Sequence, residues 1–231
     1  MSHNLMYPRI GCIGQSGSGK STIADRIAWH FPRVILFDVV ESRTDAAKEQ
    51  GYTKIESFND LRRYVVDHYS KGFRVWFCPD VDDDDLPLML SDLSFFILDL
   101  QSQYIKAFGK PDLPEIMLYV DELADSFPNY GLKKDQQGFA KMCRKGRHNN
   151  VTLVGASQRF AEVSTKFRGQ LTTRFLFKMT DPADLKMIEE LGGAEHGKML
   201  AQEVRKLPPL HYIRMENATF KRGVLTFPYR G

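Results

Sequence analysis

At 231 residues with 42% hydrophobic side chains, the chain has the material for one sizeable core, and its strongly apolar stretches, such as 95–98 and 116–120, are far shorter than the roughly 20 residues that span a bilayer. Residues 1–9 lack the apolar centre of a signal peptide. The net charge of +3 divides unevenly, with 13 basic and 17 acidic side chains in residues 1–115 and 19 and 12 in residues 116–231, a basic second half compatible with a phosphate-rich partner and equally with an ordinary soluble domain.

In chain order, short runs rich in Val, Ile and Phe alternate with longer segments of helical period, which predicts an α/β fold with a mainly parallel central sheet flanked by helices. A strand over 9–13 leads into a glycine-rich turn and a helix over 21–30. Strands at 34–37 and 73–77 bracket a helix over 57–70. Asp82 to Asp85 lack the glycine and downstream glutamate of a calcium loop, so they read as a solvated acidic run at the N-terminus of a helix over 86–108, where negative charge suits the helix dipole. A strand over 116–120 ends in two carboxylates, and a helix over 136–144 precedes a strand over 151–156. A strand over 174–178 is followed by a helix over 182–191, with Asp181 as N-cap and Pro182 at the first position. The segments 211–215 and 219–226 form a C-terminal β-hairpin. This makes six core strands in a single domain over 1–231, with a core at about 9–191 and a C-terminal extension over 207–231. Cys12, Cys78 and Cys143, odd in number and widely spaced, read as buried reduced thiols. Cys143 and His148 lack the second cysteine pair of a metal site. The Asn-x-Thr matches at Asn150 and Asn217 carry no meaning without a secretory signal.

Three segments carry chemistry. Gly14-Gln15-Ser16-Gly17-Ser18-Gly19-Lys20-Ser21 fits the Walker A pattern, and with Thr22 it lies between a strand and a helix, as the pattern requires. Glycines let backbone N–H groups curl around phosphates, the helix N-terminus adds positive potential, Lys20 reaches the β- and γ-phosphates of ATP, and Ser21 binds Mg2+. The apolar run 116–120 followed by Asp121 and Glu122 reads as Walker B, with Asp121 supporting the metal and Glu122 polarising the attacking water. A third apolar strand delivers Gln158 to the same carboxyl edge of the sheet, either as a contact to the γ-phosphate or lytic water or as plain loop. Just upstream, Arg144-Lys145-Gly146-Arg147-His148 reads either as a solvated basic loop or as an arginine finger offered to a neighbouring subunit.

Together these motifs define an additional-strand (ASCE) P-loop NTPase. The series Walker A, Asp121-Glu122, then the run 146–154 leading into Ser157-Gln158-Arg159, resembles the HerA/FtsK superfamily of DNA-pumping ATPases over residues 9–191, including Val163, Phe167, Gln170 and the run 181–184. That resemblance assigns Gln158 as sensor and Arg147 as the arginine finger, with Arg144 as the second choice. It implies a homo-oligomer, a hexameric ring in most members, that moves double-stranded DNA without reading its sequence. The chain is most similar to the genome-packaging ATPases of tailless viruses with an internal membrane, and departs from cellular FtsK and HerA in showing no membrane segment, winged-helix tail or N-terminal barrel. The resemblance therefore implies an ATP-driven packaging motor in the host cytoplasm or at the virion packaging vertex, with capsid-vertex or membrane proteins as further partners. Lys133, Lys134, Lys166 and Arg168 are the candidate DNA contacts. The competing readings are a filamentous-phage-type assembly or export ATPase, a small-molecule P-loop kinase, and a scaffold that binds ATP without turnover.

Overall fold

A computed structural model describes residues 7–40, 44–216 and 219–226. Its strands are β1 (Arg9–Ile13), β2 (Arg33–Phe37), β3 (Thr53–Ile55), β4 (Phe73–Phe77), β5 (Ile116–Val120), β6 (Val151–Ser157), β7 (Thr173–Leu176), β8 (His211–Glu216) and β9 (Thr219–Val224). The helices are α1 (Lys20–Ala28), α2 (Thr44–Glu49), α3 (Phe58–His68), α4 (Leu86–Phe108), α5 (Leu123–Ser126), α6 (Gly138–Lys145), α7 (Thr165–Arg168) and α8 (Pro182–Lys206). The strands form one sheet in the order β3-β4-β2-β5-β6-β1-β7-β8-β9. Neighbours from β3 to β7 are parallel, whereas β8 and β9 are antiparallel additions.

The central strands read as continuous apolar runs because both faces of the sheet are covered, as parallel sheets require. Every residue of β1, β5 and β6 is buried. One face packs Ile35, Phe77, Leu118 and Leu153 against residues of α3, α4, α6 and α8, including Leu61, Leu93, Phe139 and Ile188. The other packs Leu36, Trp76, Tyr119 and Val154 against Ile23, Ala24 and Ala28 of α1. Strand β6 lies between β1 and β5, and this inserted strand is the additional strand of the expected fold class.

Several boundaries differ from the sequence reading. The parallel sheet has a seventh strand, β3, a three-residue edge piece with exposed or half-buried side chains and hence no apolar run to announce it. The span α8 consists of two helical limbs: Gly193, at φ 67 and ψ −175, breaks the helical backbone at a kink close to the expected end at 191, and an additional limb runs on to Lys206. Beyond the kink the second limb crosses the first closely, since a Cβ on Gly197 would stand 2.1 Å from the Glu189 carbonyl oxygen. Asp181 caps α8 as its sequence predicts, accepting from the N–H groups of Ala183 (2.9 Å) and Asp184 (3.4 Å). The hairpin forms as β8 and β9, and it extends the main sheet through β7. The expected turn at 217–218 lies outside the described residues. Asp82 to Asp85 are exposed and lead through a 3-10 turn into α4. The three cysteines are free and buried, and burial pushes the Cys143 thiol up to about 12.

Candidate functional site

The loop after β1 hangs from the end of β6 and from the segment just past β7. Gly14 N–H donates to the Ser157 carbonyl (3.2 Å) and Gln15 N–H to the Lys178 carbonyl (3.0 Å). A Cβ on Gly14 would meet Phe177 Cβ at 2.5 Å, so only glycine lets the chain leave the strand so close to β7. Gly19, at φ 108, ends the loop and caps α1 without a side chain. The first turn of α1 contains no acidic residue, which leaves the positive end of the dipole uncompensated by the helix itself. Gln15, Ser16 and Gly17 are exposed, Ser18 is buried, and Ser21 and Thr22 are half-buried. Lys20 is 9% exposed, and its Nζ donates to the Gln15 carbonyl at 3.2 Å. Burial lowers its pKa, opposed by the nearby carboxylates of Glu122 and Asp121. A desolvated ammonium held only loosely by its own loop suits an incoming anion.

Asp121 follows β5 directly, and its N–H donates to the Phe37 carbonyl at 2.9 Å. Glu122 takes the left-handed conformation, φ 49 and ψ 65, which turns the chain from the strand into α5. Such a conformation in a glutamate costs free energy and persists where its surroundings hold it. The hold is visible: one carboxylate oxygen of Glu122 accepts from Ser157 Oγ (2.9 Å) and from the Gln158 N–H (3.1 Å). Gln158 stands exposed at the same edge. The glycine-rich loop, the Asp121-Glu122 pair and Gln158 are thus brought together at the carboxyl ends of three adjacent strands, the edge at which open α/β sheets bind ligands.

Arg147 and Arg144 are not part of this cluster. Both are exposed and precede β6, whereas Ser157 closes that strand and Gln158 follows it. The seven-residue strand separates them from their own chain's edge by roughly 20 Å. Arg147 donates to His148 Nε2 at 3.3 Å. Of the four basic candidates outside the site, Lys133, Lys134 and Lys166 are exposed, and Gln137 joins them, accepting from Lys166 Nζ at 2.6 Å and donating to the Lys133 carbonyl at 3.0 Å. Arg168 differs: it is half-buried over the Phe160 ring, 5.6 Å from its centroid, and burial lowers its pKa. Its packing is that of a structural residue.

Three further residues near the edge have contacts to which the sequence assigns no role. Ser157 is fully buried, and its tie to Glu122 depends on strand order. Asp38 is 1% exposed and follows β2, whose Phe37 pairs with Val120, so it neighbours Asp121. Its carboxylate accepts from Trp76 Nε1 (3.0 Å) and from the Val40 N–H (3.2 Å). Arg159 reaches from the loop after β6 to Asp184 (3.3 Å) and Asp181 (3.1 Å) at the start of α8. The sequence signals are an acidic residue after an apolar run at Asp38 and, for Ser157 and Arg159, their place on either side of Gln158.

The residues fit a nucleoside triphosphate with a divalent cation: backbone N–H groups and Lys20 for phosphate oxygens, and the Ser21 hydroxyl and Asp121 carboxylate for a hard cation. No group of three or more His, Cys, Asp or Glu side chains suited to a metal occurs among the described residues. A cation here would need phosphate oxygens and water to complete its shell, the usual condition of magnesium. Among the described residues no helix is long and apolar enough to cross a membrane.

No family model matches the sequence, and no curated protein matches it. Among solved structures, the genome packaging NTPase B204 from Sulfolobus turreted icosahedral virus 2 in complex with ATP-gammaS is similar at a TM-score of 0.66, with 16% identity over 96% of this chain and 98% of that chain. The same protein in complex with AMPPCP gives 0.67, again at 16% identity over 96% and 98%. The cytoplasmic domain of the Thermomonospora curvata Type VII secretion ATPase EccC is similar at 0.56, with 18% identity over 98% of this chain and 26% of that one. The likeness is one of fold: the chain has the P-loop ATPase architecture that its motifs predict, shared with packaging and secretion ATPases.

Proposed function

We propose that this chain hydrolyses ATP and uses the energy to move double-stranded DNA, packaging a viral genome into a preformed capsid. The observation that carries the reading is the convergence of the glycine-rich loop, Asp121-Glu122 and Gln158 at one sheet edge, on adjacent strands. Lys20 and the loop N–H groups bind the phosphates. Ser21 and Asp121 hold magnesium, which when bound neutralises phosphate charge. Glu122 orients the attacking water and accepts its proton, and Gln158 contacts the same region from the neighbouring strand. Arg147, far from its own chain's edge and exposed, acts on the site of an adjacent subunit in a homo-oligomeric ring, where a guanidinium stabilises charge developing in phosphoryl transfer. The exposed Lys133, Lys134 and Lys166 supply sequence-independent contacts to the DNA backbone. The fold likeness to a genome packaging NTPase supports this choice of cargo and, with it, a place in the infected cytoplasm or at the virion packaging vertex, beside capsid or membrane proteins.

A second reading, export or assembly of a polypeptide, draws on the weaker likeness to a secretion ATPase. Steady-state ATP hydrolysis with and without duplex DNA separates the two. Turnover stimulated by DNA and abolished in Glu122→Gln is the expected result. Stimulation by polypeptide alone favours export, and stimulation by a small phosphate acceptor alone overturns both in favour of a kinase.

A further inference from the structure

We infer that Ser157 is a positioning residue for Glu122, an inference that rests on the hydrolytic reading of Glu122 given above. Ser157 joins three parts of the site. Its carbonyl accepts from Gly14 N–H at 3.2 Å and so anchors the start of the phosphate loop. Its hydroxyl oxygen accepts from the Arg159 N–H at 3.3 Å. With that lone pair engaged, the hydroxyl's single proton goes to the nearer acceptor, the Glu122 carboxylate at 2.9 Å, rather than to the Arg159 carbonyl at 3.3 Å. The side chain is 0% exposed, so water does not substitute for either partner.

Glu122 needs this tie more than most residues would. It sits in the left-handed region on a turn between β5 and a four-residue helix, and its side chain makes no capping hydrogen bond to that helix. The Gln158 N–H, at 3.1 Å, marks one point on the carboxylate, and the Ser157 hydroxyl supplies the second donor to the same oxygen. Two donors on one oxygen leave the other oxygen to face the reacting water. Through Arg159 the loop carrying these donors is tied to Asp181 and Asp184 at the start of α8, so the direction of Glu122 is set by the body of the fold and not by its own loop.

The test replaces the hydroxyl and keeps the backbone. Ser157→Ala retains the Gln158 N–H and Gly14 contacts, so the inference expects kcat to fall about 10- to 100-fold, the scale of a misplaced catalytic group, with the affinity for a fluorescent ATP analogue unchanged. Ser157→Thr, which restores the hydroxyl, returns kcat to within a few-fold of the parent. If Ser157→Ala lowers thermal stability but leaves kcat unchanged, the hydroxyl merely satisfies a buried group and the inference is wrong. Should Ser157→Thr be too crowded to fold, Ser157→Ala decides alone, by its kcat set against its unchanged nucleotide affinity. If Glu122→Gln itself retains full turnover, the hydrolytic reading of Glu122 fails first, an outcome distinct from an inactive Glu122→Gln beside a fully active Ser157→Ala.

Discussion

Replacing Gly19 with alanine tests how the C-terminal segment supports the phosphate loop. Gly19 lies at φ 108, and a Cβ there would stand 2.5 Å from Leu225 Cδ1, 3.3 Å from Phe177 Cε1 and 3.4 Å from Leu210 Cδ2. Leu225 is 3% exposed and is fixed by its N–H bond to the Leu210 carbonyl (2.9 Å), so it backs the last glycine of the loop from outside the site. The left-handed backbone costs an alanine about 1–3 kcal/mol, and the overpacking against Leu225 about 1–3 kcal/mol more. Reduced freedom of the unfolded chain returns only about 0.4–1 kcal/mol. A net loss near 3 kcal/mol corresponds to a fall of about 10 °C in Tm for a chain of this size. The two parts separate in a double-mutant cycle. Leu225→Ala alone costs about 2–5 kcal/mol as a cavity, but in Gly19→Ala/Leu225→Ala the clash is gone while the backbone cost remains. Urea denaturation of the four proteins should therefore show a double variant more stable than the sum of the singles predicts, by about 1–3 kcal/mol. Losses that add to within about 0.5 kcal/mol would refute the claim that Leu225 presses on the loop.

Three other outcomes follow from the geometry. Lys20→Met should abolish ATP binding, and its stability relative to the parent should depend on pH. Burial holds the Lys20 pKa below a lysine's ordinary 10.5, so at neutral pH the folded state carries a desolvation penalty that is relieved as pH rises through the window just under 10.5. The stability difference between variant and parent therefore shifts in the parent's favour across that window, which denaturation at a series of pH values checks. Asp184 is likewise pushed up, by burial first, and Arg159 opposes that shift. Arg159→Ala should cost about 1–3 kcal/mol at neutral pH, and the loss should shrink as pH falls through the Asp184 pKa, where a protonated carboxyl no longer needs the guanidinium. Mixing Arg147→Ala with Glu122→Gln, each inactive alone, should restore ATP hydrolysis above the sum of the two, because a mixed ring contains interfaces with Glu122 and Arg147 both intact. A mixture as inactive as its parts removes Arg147 from the finger role.

The sequence announces some parts of this molecule and conceals others for physical reasons. β1, β4 and β5 begin and end where their mainly apolar runs do, because both faces of a parallel sheet are covered, and α4 is legible from the helical period of its buried Leu86, Leu90, Leu93, Ile97 and Leu98. β3 and the one-turn helices α5 and α7 are too short to show a period. The first limb of α8 ends near the expected boundary at 191, whereas the second limb, packed closely on the first at Gly197, went unpredicted. Within the site, Lys20, Asp121, Glu122 and Gln158 are legible because each follows a recognisable strand at a motif's spacing. The hold of Ser157 on Glu122 and the placement of Asp38 beside Asp121 are not legible, since both depend on which strands are neighbours. Arg168 reads like Lys166 in the sequence, yet its guanidinium lies against Phe160.

The central claim is that ATP hydrolysis at this edge moves the chain along duplex DNA. Displacement of a third strand from a triplex-tipped DNA duplex measures such movement directly. The account predicts release of the third strand that requires ATP and magnesium, fails with Glu122→Gln, and does not depend on the sequence of the duplex track. Vigorous ATP hydrolysis in the presence of the same DNA, with the third strand left in place, would contradict it.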